Sequence, residues 1–219
     1  MKKSKVRRKQ NHIFYIIWEW KTECAYFSAL ARLCRFKNVT IYTRDFEWTI
    51  WKGDPDKKII STRIKNIEFW LKQKDVEIDK KDKRQHICYL LDTDVYNKNW
   101  INHIAKIMWE KWIHVYFSNK CFELFLLEHI GYYCKEKDSS VEYIKDLKKT
   151  YPKYDKWDWI KTTSVCEDLI KNKLSAVKQN FKKLKKVHES NKKTHICDMN
   201  PYSEVIDLLE NIGWISGEF

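Results

Sequence analysis

Three acids follow two apolar runs. Glu19 stands directly after HIFYIIW, and Asp92 and Asp94 stand directly after HICYLL. A fully buried strand gains nothing from ending in carboxylates, and clustered like charges repel. A divalent cation removes that cost. Mg²⁺ takes oxygen ligands and typically uses one or two carboxylates together with substrate phosphate. An Asp-x-Asp at the mouth of a strand presents two carboxylates from one turn. The same pair also fits a plainer role, with Asp92 capping the following helix and Asp94 exposed. Glu19 at an equivalent edge adds weight to the metal reading, because in open α/β sheets the carboxyl edge is where ligands bind.

The elements that must position these acids can be read from the apolar pattern. His12 to Trp18 and His86 to Leu91 are near-continuous apolar runs of strand length, the mark of strands buried on both faces. Val39–Tyr42 and Ile113–Phe117 read as two further strands. Between them lie helical stretches. Thr22 can cap the first, with Tyr26, Phe27, Leu30 and Leu33 on one face; Thr62 opens the second; the third covers Asn97 to Trp109. Ser118 or Asn119 can cap a fourth, from Phe122 to Ile130. Repeated strand–helix alternation predicts a parallel-rich α/β sheet flanked by helices. The second half is helical: Ser139–Lys149, then Ser164–Val187 with a seam of Ile170, Leu174, Val177, Phe181 and Leu184. Asn200-Pro201 caps a closing helix that ends near Gly213. We therefore expect a basic tail over 1–11, an α/β core over 12–135 and a helical region over 136–219 packed on that core.

Charge and composition narrow the function classes. The 219 residues carry 43 Lys and Arg against 30 Asp and Glu, a net +13. That surplus favours polyanionic partners, although lysine-heavy composition alone also produces it. From Leu169 to Val187 there are seven Lys and no acid. This face, with Lys182, Lys183, Lys185 and Lys186, either lies on nucleic acid or a partner or is a solvated surface. No apolar run approaches the roughly 18 residues of a membrane span, and no signal-peptide pattern opens the chain, so a cytoplasmic protein is expected. The seven cysteines include no Cys-x-x-Cys, and His195-x-Cys197 has no second pair. Reduced core thiols fit better than a disulfide frame or a zinc site.

The surrounding motifs narrow the reading further. IIWEWKTECAYFSAL resembles the opening Glu-Gly-x-x-Thr-Glu-x-x-Tyr-Phe block of the RloB family at Glu19, Thr22, Glu23, Tyr26 and Phe27. YLLDTD resembles that family's Asp-x-Asp strand end. FSNKCFELFLLEHI resembles its Ser-Asn-Pro-Cys-Phe-Glu-Leu-Trp-Leu-Leu-His block at Ser118, Asn119, Cys121, Phe122, Glu123, Leu124, Leu126 and His129. YPKYDK and NPYSEVIDLL resemble later blocks, so the likeness runs from residue 13 to about 212. Two positions depart from the pattern: Trp20 replaces a glycine, and Lys120 replaces a proline.

The resemblance implies a Toprim-like, metal-dependent nuclease of bacterial anti-phage defence. Such proteins are often linked to restriction–modification loci or encoded beside an ATPase of the ABC/AAA type, and related Toprim effectors cut nucleic acids, tRNA included, so RNA or DNA is the substrate this likeness implies. In that mechanism Asp92 and Asp94 hold Mg²⁺ or Mn²⁺, and Glu19 completes the metal shell or acts as general base. Glu123 is either a further ligand or a first-turn acid favoured by the helix dipole. Glu23 is expected mainly as a first-turn acid, His129 as a hydrogen-bonding core residue and Asn119 as a cap. Lys21 and Lys120 either pair with phosphate or are two of the many lysines of this chain. Tyr151, Tyr154, Trp157 and Trp159 form either a docking patch for the ATPase or cover for the protein's own helical half. The alternative to catalysis is a Toprim-like module that binds an ATPase or nucleic acid, which Trp20 favours because a bulky residue limits close backbone approach.

Overall fold

The structure is a computed structural model. It describes residues 11–18, 21–34, 36, 38–45, 57–76, 78, 82–93, 98–131, 136–193, 195–200 and 202–216. In chain order the elements are β1 (His12–Trp18), α1 (Lys21–Leu33), β2 (Val39–Asp45), α2 (Lys57–Gln73), β3 (Gln85–Asp92), α3 (Lys98–Glu110), β4 (Ile113–Asn119) and α4 (Phe122–His129). The helical half follows with α5 (Ser140–Thr150), α6 (Trp159–Ser190), a 3₁₀ turn (Ile196–Asp198), the short β5 (Tyr202–Ser203) and α7 (Val205–Ser216).

The five strands form one sheet in the order β2-β1-β3-β4-β5. The first four are parallel, with Ile17 opposite Tyr89 and Asp92 opposite Ser118; β5 is antiparallel to β4. The two apolar runs occupy neighbouring inner positions. Phe14–Trp18 of β1 and Ile87–Leu91 of β3 are buried, as strands covered on both faces must be. From β1 the chain crosses to β2 on one side, and it later returns to place β3 on the other. Right-handed crossovers in opposite directions put α1 and α3 on opposite faces of the sheet. The packing agrees: α1 lies against α4 and α6, while α2 lies against α3. The α/β architecture with a helical C-terminal part is as the sequence predicts.

The helical half is locked on by aromatic and polar contacts. Tyr26 of α1 meets Phe122, Phe125 and His129 of α4 edge-on. The Tyr26 hydroxyl donates to His129 Nε2 at 2.9 Å, and His129 Nδ1 donates to the Phe125 carbonyl at 3.0 Å. Burial lowers the His129 pKa to about 4, so the ring is neutral and serves the core, as expected from its sequence position. The α6 seam is buried at Ile170, Val177, Phe181 and Leu184, with Leu174 partly buried. Phe181 reaches Phe125 of α4 and Tyr202 of β5 at 5.9 and 5.8 Å between ring centroids.

Several element ends differ from the sequence expectations. α1 begins at Lys21, so Thr22 lies inside its first turn and is not its cap. β4 continues through Asn119, because Asn119 pairs with Tyr202 of β5; the residue before α4 is Cys121, which makes no side-chain cap bond. α6 starts at Trp159, capped by Asp158, whose carboxylate accepts from the Ile160 and Lys161 amides. Asn200 does not cap α7. Its Nδ2 donates to the Lys137 carbonyl and its Oδ1 accepts from the Tyr143 hydroxyl, both at 2.8 Å, tying α5 to the segment before β5. α7 runs past Gly213 to Ser216.

β5 and Glu204 latch the edge of β4. The Ser118 and Ser203 hydroxyls bond at 2.7 Å. The Glu204 amide donates to the Phe117 carbonyl at 2.8 Å, and the Phe117 amide donates to Glu204 Oε2 at 3.0 Å, so the side chain stands in for a neighbouring strand. Burial raises the Glu204 pKa from 4.5 to about 7, and Asp207 beside it is raised in the same sense. With its folded pKa above its unfolded one, Glu204 holds its proton more tightly when folded. Its contribution to stability is therefore full below pH 4.5 and lost as pH rises through about 7. Urea unfolding across that range should show stability falling with pH. Glu204→Gln keeps the Phe117 contact and should flatten most of the slope, leaving the part due to Asp207.

Candidate functional site

The carboxyl edge of the sheet gathers the polar residues that the apolar strands release. β1 ends at Trp18, the residue before Glu19, and β3 ends on Asp92 itself. Asp92 is half-buried at the rim. Glu19, Trp20 and Asp94 lie outside the described residues, so the three-acid constellation is represented here by Asp92 alone. Among the described residues no group of three or more His, Cys, Asp or Glu is arranged to hold a metal ion.

Next to Asp92 the chain makes a buried polar knot. The Thr93 amide donates to the Ser118 carbonyl at 2.9 Å, and its hydroxyl donates to Asn119 Oδ1 at 3.2 Å. Asn119 Nδ2 donates to the Ile196 carbonyl at 2.7 Å. Asn119 thus joins the ends of β3 and β4 to the 3₁₀ turn, in place of the capping role expected for it. Lys120 then takes φ +80°, a left-handed backbone that proline cannot adopt. The departure from the family proline is therefore a change of turn geometry as well as of charge. Lys120 is half-buried at this edge, and Lys21 is exposed at the start of α1.

The first turns of α1 and α4 bring further acids to the same region. Glu23 and Glu123 are both buried, at 2% and 4% exposure. The Tyr154 hydroxyl donates to Glu123 Oε1 at 2.8 Å and accepts from the Thr22 hydroxyl at 3.1 Å. Burial and then the Glu123 carboxylate drive the Tyr154 pKa well up, so it stays a donor. The Cys121 thiol is pushed up by burial first, then by Glu123 and Asp92. Cys166 of α6 is raised by burial, then by Glu123 and Glu23. Asp92 and Glu123 thus act on one thiol, and Glu123 and Glu23 on another.

Other expected residues divide. Lys182, Lys183, Lys185 and Lys186 are all exposed on α6. Of the four second-half aromatics, Tyr154 is buried and Tyr151 is half-buried with its hydroxyl on Asp168 at 2.5 Å, whereas Trp157 and Trp159 are exposed. The sequence pattern assigns no role at the edge to Tyr154, Thr93 or Cys121. Tyr154 stands in the YPKYDK block, which is legible as a family motif but not as a partner of Glu123.

Together, the doubly wound sheet and the helices on its two faces define an α/β protein with a helical C-terminal part. A family model, RloB-like protein, matches residues 14–212. The chain belongs to the RloB family. No curated protein and no solved structure matches it.

Tyr154→Phe removes the donor to the buried Glu123 and the acceptor of Thr22 while keeping the ring. It should lower stability by about 1–3 kcal/mol, the usual cost of stranding a buried polar group. Urea unfolding measures it.

Proposed function

We propose that the protein is a metal-dependent nuclease that hydrolyses phosphodiester bonds in RNA, tRNA included, or in DNA. The observation that carries this reading is the strand order. β1 and β3 are adjacent and parallel where the winding reverses, and in doubly wound sheets ligands bind at that switch point, outside the carboxyl ends of the strands. The sequence attaches Glu19 to the end of one of these strands and Asp92 and Asp94 to the end of the other.

The donor chemistry suits Mg²⁺ or Mn²⁺, since the acids offer hard oxygen ligands. Asp92 and Asp94 would hold the ion, with Glu19 completing its shell. Such an ion neutralises charge on a scissile phosphate and lowers the pKa of an attacking water. Glu19 alternatively serves as general base. Glu123, positioned by Tyr154, is a further ligand or a fixed negative charge beside the ion. Lys21 and Lys120 draw the phosphate toward the edge, and the α6 lysines Lys182, Lys183, Lys185 and Lys186 extend the attraction to the flanking backbone. The RloB likeness supports a role as toxic effector in anti-phage defence under the control of an ABC/AAA-type ATPase. A second reading, a non-catalytic module that binds the ATPase or nucleic acid, is favoured by Trp20 in place of the family glycine.

Glu19→Ala and Asp92→Asn should each lower Mg²⁺- or Mn²⁺-dependent cleavage of mixed nucleic acids by about 10²-fold or more, with unfolding curves retained. Undiminished cleavage by folded variants would remove these residues from the site. Replacing Lys182, Lys183, Lys185 and Lys186 with Gln should weaken nucleic-acid binding and reduce the slope of log affinity against log salt, by roughly 0.7–0.9 for each phosphate no longer neutralised. An unchanged slope would assign these lysines to solvation.

A further inference from the structure

We propose that the outer face of the segment from Tyr151 to Lys161 is a stacking platform for unpaired nucleotides of a single-stranded nucleic acid. The inference deepens the nuclease reading and rests on it for the substrate class.

Trp157, Trp159 and Ile160 are 62%, 41% and 79% exposed, a cluster of large apolar side chains within four consecutive positions. The acids of the segment are engaged locally. Asp155 Oδ1 accepts from the Trp157 amide at 3.1 Å. Asp158 caps α6 and pairs with Lys161 at 2.9 Å. The segment also presents cations: Lys153 is exposed, and the Lys156 ammonium sits 5.1 Å from the centroid of the Trp157 ring. Lysine is depleted from protein–protein interfaces, whereas indole rings among ammonium groups are what single-strand grooves use to stack bases and hold the phosphates between them. Charge points to the same occupant. The chain is +13 overall, and the helix that begins at this platform carries seven Lys and no acid from Leu169 to Val187.

Position links the platform to the candidate site. Tyr154 is buried against Glu123 and Thr22, so the inner side of the segment is fixed to the first turns of α4 and α1. Trp157 follows three residues later, within about 11 Å of chain from Tyr154. A strand stacked on Trp157 and Trp159 is therefore held next to the acidic edge. A duplex, whose bases are already stacked, gains little there.

The test is fluorescence anisotropy with short labelled oligothymidylate, oligouridylate and a duplex control, in chelator so that cleavage plays no part. Trp157→Ala/Trp159→Ala should weaken single-strand binding by about tenfold or more, with duplex binding and the salt slope little changed. Trp157→Phe/Trp159→Phe should restore most of the affinity, since phenyl rings also stack. Both indoles are exposed, and circular dichroism checks that the fold survives. The proposal is overturned if the parent protein binds no single strand, or if the alanine variant binds it as tightly as the parent. The latter result would give the patch to a protein partner. Metal-dependent cleavage is read separately. Its failure with single-strand binding intact would sink the nuclease reading and leave the platform standing.

Discussion

The parallel pairing of β1 with β3 is the constraint from which the rest of the architecture follows. Both strands are apolar on both faces, so neither tolerates an exposed side of the sheet. Helices must cover each face, and short right-handed crossovers allow this only if the winding reverses beside β1. The reversal splays α1 and α3 to opposite faces and opens the carboxyl edge between them. A chain with one alternating strand in either position would be free to leave a face to solvent. This one is not, and its polar groups are pushed to the strand ends. Asp92, Thr93, Ser118 and Asn119 accumulate there for that reason.

The edge is closed from the other direction by the helical half. Tyr154, Thr22 and Glu123 belong to three segments far apart in sequence, and one phenol joins them. A buried carboxylate costs several kcal/mol unless it is hydrogen-bonded or paired. Glu123 is retained in a place where an apolar residue would pack at no such cost. The polar tie makes that retention tolerable and fixes where the carboxylate points. The same tie fixes the Tyr151–Lys161 segment, so its exposed indoles stand at a set position and not on a free loop.

The sheet was legible because its signal is local. Near-continuous apolar runs and alternating helices dictate parallel strands without reference to any distant residue. The seam of α6 was legible for the same reason, since a 3.6-residue repeat declares its buried face. The misread positions are those whose role is decided by a distant partner. Asn119 looks like a cap until Tyr202 arrives to extend the strand through it, 83 residues later in sequence. Asn200 looks like a cap until Tyr143 and Lys137 claim its amide. Thr22 looks like a cap until Tyr154 takes its hydroxyl. At the site, the strand-end acids stand out in sequence because charge is rare beside such runs. Glu123's partner does not, because a tyrosine in a lysine-rich turn carries no sign of the carboxylate it meets.

The electrostatics of the edge also bear on what kind of ion it suits. Cys121 and Cys166 are the thiols that a sulfur-seeking metal would require, and such a metal binds the thiolate. Burial and the neighbouring carboxylates both push these thiols up, away from ionisation. Each added acid makes a thiolate there less accessible while making a hard cation more welcome. The same carboxylates, left without a counter-ion, would repel the phosphates that the surrounding lysines attract. If Glu19 and Asp94 join Asp92 there, as proposed, a +13 chain would be in conflict with itself toward a polyanion. The divalent cation of the proposed function would resolve that conflict, because it would turn the acidic edge from a barrier into the most attractive point for phosphate. That reversal would make the lysines and the acids parts of one site.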